Sequence, residues 1–286
     1  MRYEAPETIE AAVALLGSSG KARPLAGGTD LLVQLRFGLA EPELVVDLKK
    51  LPGLRTIAKE KGGFRIGAAV TGAELGEHAE LKRTWPGVIE AANLIGSTQI
   101  QGRASLGGNL CNASPAADSV PALITAGATV TIVGPGGQRE LPVEAVATGP
   151  GKTSLAKGEF VASLFLPARP ARSGDAYLRF IPRTEMDIAV VGCGVSLTLD
   201  ASGSCTAARV SLGAVAERAL LVAEASAALI GSKLDAKAME RLAAAARAAC
   251  RPIDDKRGTK AFRIDVAGVL AQRATGIAAE RARGQA

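Results

Sequence analysis

Leu25-Ala26-Gly27-Gly28-Thr29-Asp30-Leu31-Leu32 and Ser105-Leu106-Gly107-Gly108-Asn109-Leu110 each set a glycine pair among small polar residues. Glycine accepts positive φ and lets the backbone approach a ligand closely. Successive backbone N–H groups then form a concave anion site without Lys or Arg. Thr29, Ser105 and Asn109 would add side-chain donors to a phosphate or ribose. A pyrophosphate held between the two segments fits this chemistry. The plainer alternative is that both pairs only turn the chain between strands. Commoner nucleotide signatures fail. No GxxxxGK[ST] occurs, and after Gly192-Cys193-Gly194 the third glycine position holds Leu197. A dinucleotide-binding fingerprint is therefore rejected.

Working outward, Ile9, Ala12, Val13 and Leu16 make a helical stripe over 7–16 ended by Gly17. Val45-Val46 and Phe64–Val70 read as strands. Thr71-Gly72-Ala73-Glu74 is a capping box that starts a helix. Gly134-Pro135-Gly136-Gly137 reads as a hairpin turn into 139–143, and Phe160–Leu166 as a strand stopped by Pro167. Residues 167–175 read as a linker or exposed crossing. Beyond them come strand candidates at 188–199 and 206–215. Helical patterns follow near 217–230, 236–250 and from 264. Strands followed by helices predict an α+β C-terminal domain.

The totals bound the function. The chain has 286 residues, enough for one large domain or two ordinary ones. With 34 basic and 28 acidic residues its net charge is +6, but the basic residues are scattered, so nucleic-acid binding is not expected. Aromatic residues are 3%, so few rings are available to stack on a flat cofactor. The opening 16 residues lack a basic n-region and an unbroken apolar core, so no signal peptide is expected there, and no run of 18 apolar residues predicts a membrane span. Cys111, Cys193, Cys205 and Cys250 lack metal-ligand spacing and read as reduced cytoplasmic thiols. His78 is the sole histidine. It reads as a surface residue, and no metal centre or Ser–His triad is expected.

Five ordered segments carry a resemblance. Residues 6–16 match the pattern P-x-T-I-E-A-A-V-A-L-L. The others are Pro24–Leu31, Gln99–Asn109 with Ala113-Ser114-Pro115-Ala116-Ala117-Asp118 after it, Arg179-Phe180-Ile181-Pro182-Arg183-Thr184-Glu185-Met186-Asp187-Ile188-Ala189, and Asp254–Thr259. Together they resemble the FAD-binding subunits of the molybdenum hydroxylase family, over nearly the whole chain. That family includes xanthine dehydrogenases and aerobic carbon monoxide dehydrogenases. The resemblance implies a two-part FAD-binding domain of the vanillyl-alcohol-oxidase type at 1–175. It implies a small α+β domain, antiparallel strands plus helices, at 176–286. No cysteine-rich insertion for an extra cluster is present.

The resemblance also implies non-covalent FAD. Pro24, Leu25, Ala26, Gly27, Gly28, Thr29, Asp30 and Leu31, with Ser105, Leu106, Gly107, Gly108 and Asn109, would hold pyrophosphate and ribitol. Asp118 would meet the adenosine end or ribose. Ile95 and Ile100 would line the flavin cleft, and Val161 and Arg179 would lie near the isoalloxazine. A cation there would stabilise anionic reduced flavin. Implied partners are a small subunit with two 2Fe–2S clusters and a large subunit with the molybdenum cofactor, in a dimer of heterotrimers. NAD, a quinone or O2 would accept the electrons. No residue of this chain is expected to be catalytic toward an organic substrate. Competing readings are a free-standing flavin oxidase of the vanillyl-alcohol-oxidase type and a non-catalytic assembly scaffold. Among single residues, Cys111 reads as a small packed residue and Trp85 as a packing anchor. Arg103 would reach phosphate or brace its loop through a carboxylate. Asp254–Arg257 reads as a solvated turn or subunit contact.

Overall fold

The structure is a computed structural model that describes residues 1–284. It is built from three main sheets, each with its own apolar core. The first is parallel, with Leu44–Asp47 between Arg2–Glu4 and Ala22–Leu25. The helix Ile9–Ser18 crosses over it and buries Ala12 and Leu16 against Leu44 and Val46. Thr8 starts that helix by accepting a hydrogen bond from the Ala11 amide at 3.2 Å.

The second sheet is antiparallel, in the order Ile57–Glu60, Gly63–Gly67, Phe160–Leu166, Thr129–Gly134, Gly137–Pro142. Its central strand, Phe160–Leu166, has the bounds read from the sequence. Leu164 and Leu166 face the main core, while Phe160 packs toward the N-terminal sheet. Pro135-Gly136 form the two-residue hairpin loop, with Gly134 opposite Gly137. The strand expected over 64–70 stops at Gly67. A Cβ there would lie 2.2 Å from the Gly53 carbonyl oxygen, so the crossing chain segment ends the pairing. The capping box is present. Thr71 Oγ1 accepts from the Glu74 amide at 3.2 Å, and Glu74 accepts from the Thr71 amide at 2.8 Å. Trp85 is buried and leads into the helix Pro86–Ala92.

The third sheet is an antiparallel meander of Ser173–Phe180, Val191–Leu199, Cys205–Gly213 and Leu220–Leu221. The helices Ala223–Leu229, Ala236–Ala249 and Lys260–Ala282 form its core with it. The 167–175 stretch is less of a linker than its polarity suggests. Its end is already strand, and Asp175 is buried against Arg169 at 2.8 Å and the Gly87 amide at 2.9 Å. The last helix starts earlier than its apolar pattern, at a Thr259 cap. Gly174 lets it lie directly on the strand, since a Cβ there would meet the Ala278 carbonyl oxygen at 1.8 Å.

Helix Ser119–Thr125 is buried along its length where the second and third sheets meet. Gly194 and Gly213 make room for Pro121 at this seam. Within the Gly-Cys-Gly sequence, Gly194 thus makes room for Pro121, while Gly192 makes room for Tyr177, whose hydroxyl a Cβ there would meet at 2.5 Å. No helix among the described residues is long and apolar enough to cross a membrane.

Candidate functional site

A cleft of about 640 Å³ separates the N-terminal parallel sheet from the antiparallel sheet. That lies within the roughly 300–1,000 Å³ of small-molecule sites. One wall runs from Pro24 to Leu31. The other carries Ser105, Gly107, Gly108 and Asn109, and Ile95 also lines it. Residues 151–159 contribute a third side through Gly151, Thr153 and Leu155–Glu159.

The two glycine segments touch. A Cβ on Gly27 would fall 1.8 Å from the Arg103 carbonyl oxygen, and one on Gly107 would fall 2.6 Å from that of Ala68. Gly28 adopts φ +81°, which side-chain-bearing residues rarely take. The amides of Gly27, Gly28, Thr29, Asp30 and Leu31 have no partner among the described residues. Nor do those of Leu106 and Gly107, at the start of helix Leu106–Cys111. Ser105 begins that helix by accepting from the Gly108 amide at 3.1 Å. Two rows of unpartnered amides, with Gly27 and Gly107 too crowded for a side chain, fit the pyrophosphate of FAD.

A polar strut joins the walls. Asn112 donates through Nδ2 to Asp30 at 3.1 Å and accepts from Gln34 Nε2 at 3.1 Å. Burial raises the Asp30 pKa above the ordinary carboxylate value. Asn109 accepts from the Ser119 hydroxyl at 2.7 Å, leaving its Nδ2 uncommitted. Gln34 and Asn112 escaped the sequence reading. The signal for Asn112 was its i, i+3 spacing from Asn109, which places both on one helix face. Arg103 braces the first loop, but through the Gly27 carbonyl at 3.0 Å, not through a carboxylate.

Five of the expected residues lie off the cleft wall. Leu106 is buried in the core below its helix. Ile100 packs over Gly96, next to Ile95. Val161 is buried opposite Ile132 in the sheet. Asp118 and Arg179 form an ion pair at 2.8 Å at the seam of the two domains, with side chains only 8% and 4% exposed. Tyr177 donates to the other oxygen of Asp118 at 2.9 Å. Burial pushes the Asp118 carboxyl up to about 6, against the opposite pull of Arg179 and Tyr177. The guanidinium is thus committed to a buried carboxylate. The sequence could not show this, because the partners lie 61 positions apart.

Burial also holds the Cys111 thiol in its neutral form, with its pKa raised to about 12. His78 caps helix Ala79–Thr84 by accepting from the Leu81 amide at 3.2 Å. Asp255 pairs with Arg263 at 2.7 Å, and Arg257 with Asp187 at 2.9 Å, so the 254–257 segment ties the last helix to the preceding sheet. No group of three or more His, Cys, Asp or Glu placed to hold a metal is present among the described residues.

Residues 1–169 match the family described as FAD binding domain in molybdopterin dehydrogenase, and residues 176–278 match the CO dehydrogenase flavoprotein C-terminal domain. The carbon monoxide dehydrogenase medium chain of Afipia carboxidovorans is 35% identical over 283 residues, covering 98% of this chain and 97% of that one. The xanthine dehydrogenase FAD-binding subunit of Escherichia coli O157:H7 is 30% identical over 285 residues, covering 99% and 97%. CO dehydrogenase from Oligotropha carboxidovorans superposes with a TM-score of 0.95 at 33% identity, over 98% of both chains. Quinoline 2-oxidoreductase from Pseudomonas putida 86 does so at 0.91 and 28%, over 99% and 98%.

The two-part N-terminal domain, its amide-lined cleft and the appended α+β domain define a flavoprotein component of an oxidoreductase. FAD is its cofactor. The chain belongs to the family of FAD-binding subunits of the molybdopterin dehydrogenases.

Proposed function

We propose that this chain is an electron relay, taking electrons from 2Fe–2S clusters of a small partner subunit and delivering them to NAD, a quinone or O2. FAD supplies the one- and two-electron chemistry that such a relay needs. The observation that carries the reading is the cleft, where two opposed glycine loops present free amides while the buried ion pairs lie outside it. Gly27, Gly28, Gly107 and Gly108 would hold the pyrophosphate, with Thr29, Ser105 and Asn109 beside them. Ile95 and its neighbour Ile100 would border the flavin ring. Asp118, Val161 and Arg179 would support the pocket from behind.

The reading places a large molybdenum-cofactor subunit in the same complex, a dimer of heterotrimers in the cytoplasm. An exposed apolar strip beside the cleft, Leu32, Val33, Phe37 and Leu39, supports a covering partner. Division of labour explains the sparse chemistry. Electron transfer requires proximity and matched potentials, so this chain needs no general acid or base of its own. Rapid mixing tests this. Organic substrate should leave the flavin of the isolated chain oxidised and should reduce it in the reconstituted complex. Reduction in the isolated chain would instead make it a free-standing dehydrogenase.

A further inference from the structure

Two cations approach the first glycine loop from outside the cleft. Lys49 Nζ donates to the Ala26 carbonyl at 3.0 Å, and Arg103 Nε donates to the Gly27 carbonyl at 3.0 Å. Neither side chain lines the cleft, whereas Ala26, Gly27 and Gly28 do. A trans peptide unit points its C=O and N–H in opposite directions. A carbonyl drawn outward therefore turns the amide of the same peptide unit inward. The Ala26 carbonyl shares its unit with the Gly27 amide, and the Gly27 carbonyl with the Gly28 amide. Both amides are unpartnered among the described residues.

The Gly27–Gly28 unit needs such a restraint more than any other in the loop. A peptide flip changes ψ of the first residue and φ of the second. Both are glycine, which accepts either sign of φ at little cost. Flipped, the unit would present a carbonyl oxygen to a phosphate and repel it. We propose that Arg103, assisted by Lys49, is a positioning residue that fixes the peptide orientation of the Gly27–Gly28 loop so that its amides face the pyrophosphate. On this view the two cations serve the anion without touching it. The proposal rests on the reading that the glycine loops hold the pyrophosphate.

Substitutions at Arg103 separate orientation from charge. Gln Nε2 is attached to Cδ, as Arg Nε is, so Arg103→Gln keeps a donor at the same place without the cation. Arg103→Met keeps the length and removes the donor. Arg103 is exposed, so both variants should fold, which melting of the flavin-free chain checks. FAD dissociation constants and the two phosphorus-31 resonances of bound FAD are then measured. Arg103→Met should weaken FAD about tenfold, the low end for one charge-assisted hydrogen bond. Its phosphorus resonances should move toward those of free FAD. Arg103→Gln should keep the wild-type affinity and resonances.

Unchanged binding in Arg103→Met would overturn the proposal. So would an Arg103→Gln variant as weak as Arg103→Met, because the cation would then act directly on the anion. If Arg103→Met does not fold, Arg103→Gln decides alone. Wild-type values support the proposal, and a tenfold loss refutes it. Phosphorus resonances of FAD on the wild-type chain that match free FAD would refute the cradle reading itself, a separate result.

Discussion

Gly108 is the position at which the phosphate cradle can be tested most sharply. An added Cβ would meet only the Ser105 Oγ, at 3.2 Å. At Gly107, one residue earlier, it would meet the Ala68 backbone at 2.6 Å. A side chain at 108 is therefore tolerated by the fold. An acidic one also sits in the first turn of helix Leu106–Cys111, where the helix dipole favours negative charge. Gly108→Asn and Gly108→Asp are nearly isosteric, so their difference isolates charge. Two like charges 4 Å apart repel by about 1 kcal/mol in water and about 4 kcal/mol at an effective dielectric of 20. A half-open cleft lies between, near 2 kcal/mol, which is about thirtyfold in affinity. We expect Gly108→Asn to bind FAD more weakly than wild type through bulk, and Gly108→Asp about thirtyfold more weakly again. Titration of the flavin-free variants with FAD, followed by fluorescence quenching, measures both. The Asp:Asn ratio should shrink in high salt. Equal affinities in two folded variants would remove the phosphate from this loop.

Other expectations follow from the same geometry. Acid precipitation should release all FAD into the supernatant, since the cleft reading involves only non-covalent contacts; yellow pellets would contradict it. Gly107→Ala should lower the melting temperature, because a Cβ 2.6 Å from the Ala68 backbone puts the overpacking cost toward the upper end, about 3 kcal/mol, against a gain of about 1 kcal/mol from helix propensity; an unchanged melt would refute the close approach. Arg179→Met should destabilise the chain by about 3–5 kcal/mol, by stranding a buried carboxylate. Asp118, raised to about 6 chiefly by burial, binds its proton more tightly when folded. Its contribution is therefore fully present below the unfolded carboxyl pKa, near 4, and is lost as pH rises through about 6. Melting curves from pH 4 to 7 should show that slope in wild type and a flatter one in Asp118→Asn.

The elements most legible in the sequence were those whose cause is local. The central strand at 160–166 was bounded by a run of apolar residues and Pro167, and the Thr71–Glu74 capping box needs only residues three apart. Misread boundaries had distant causes. The strand beginning at Ser173 looked like a linker because the residues that bury Asp175, among them the Gly87 amide, come from elsewhere in the chain. Leu220–Leu221 looked helical because its pairing partner is the strand Cys205–Gly213.

The sequence by itself determined that two glycine pairs flanked by Thr29, Ser105 and Asn109 have the parts an anion-binding backbone needs, because glycine's freedom and hydroxyl or amide donors are properties of the residues themselves. Only the tertiary structure decided what faces that backbone. It set Gly27 against the chain at Arg103, opened the cleft between two sheets, and turned Asn112 and Gln34 into a strut across it. It also withdrew Arg179 from the cleft into a buried pair with Asp118. A charged side chain's role depends on which opposite charge it meets and how dry the meeting is, and both are fixed by packing between residues far apart in the chain.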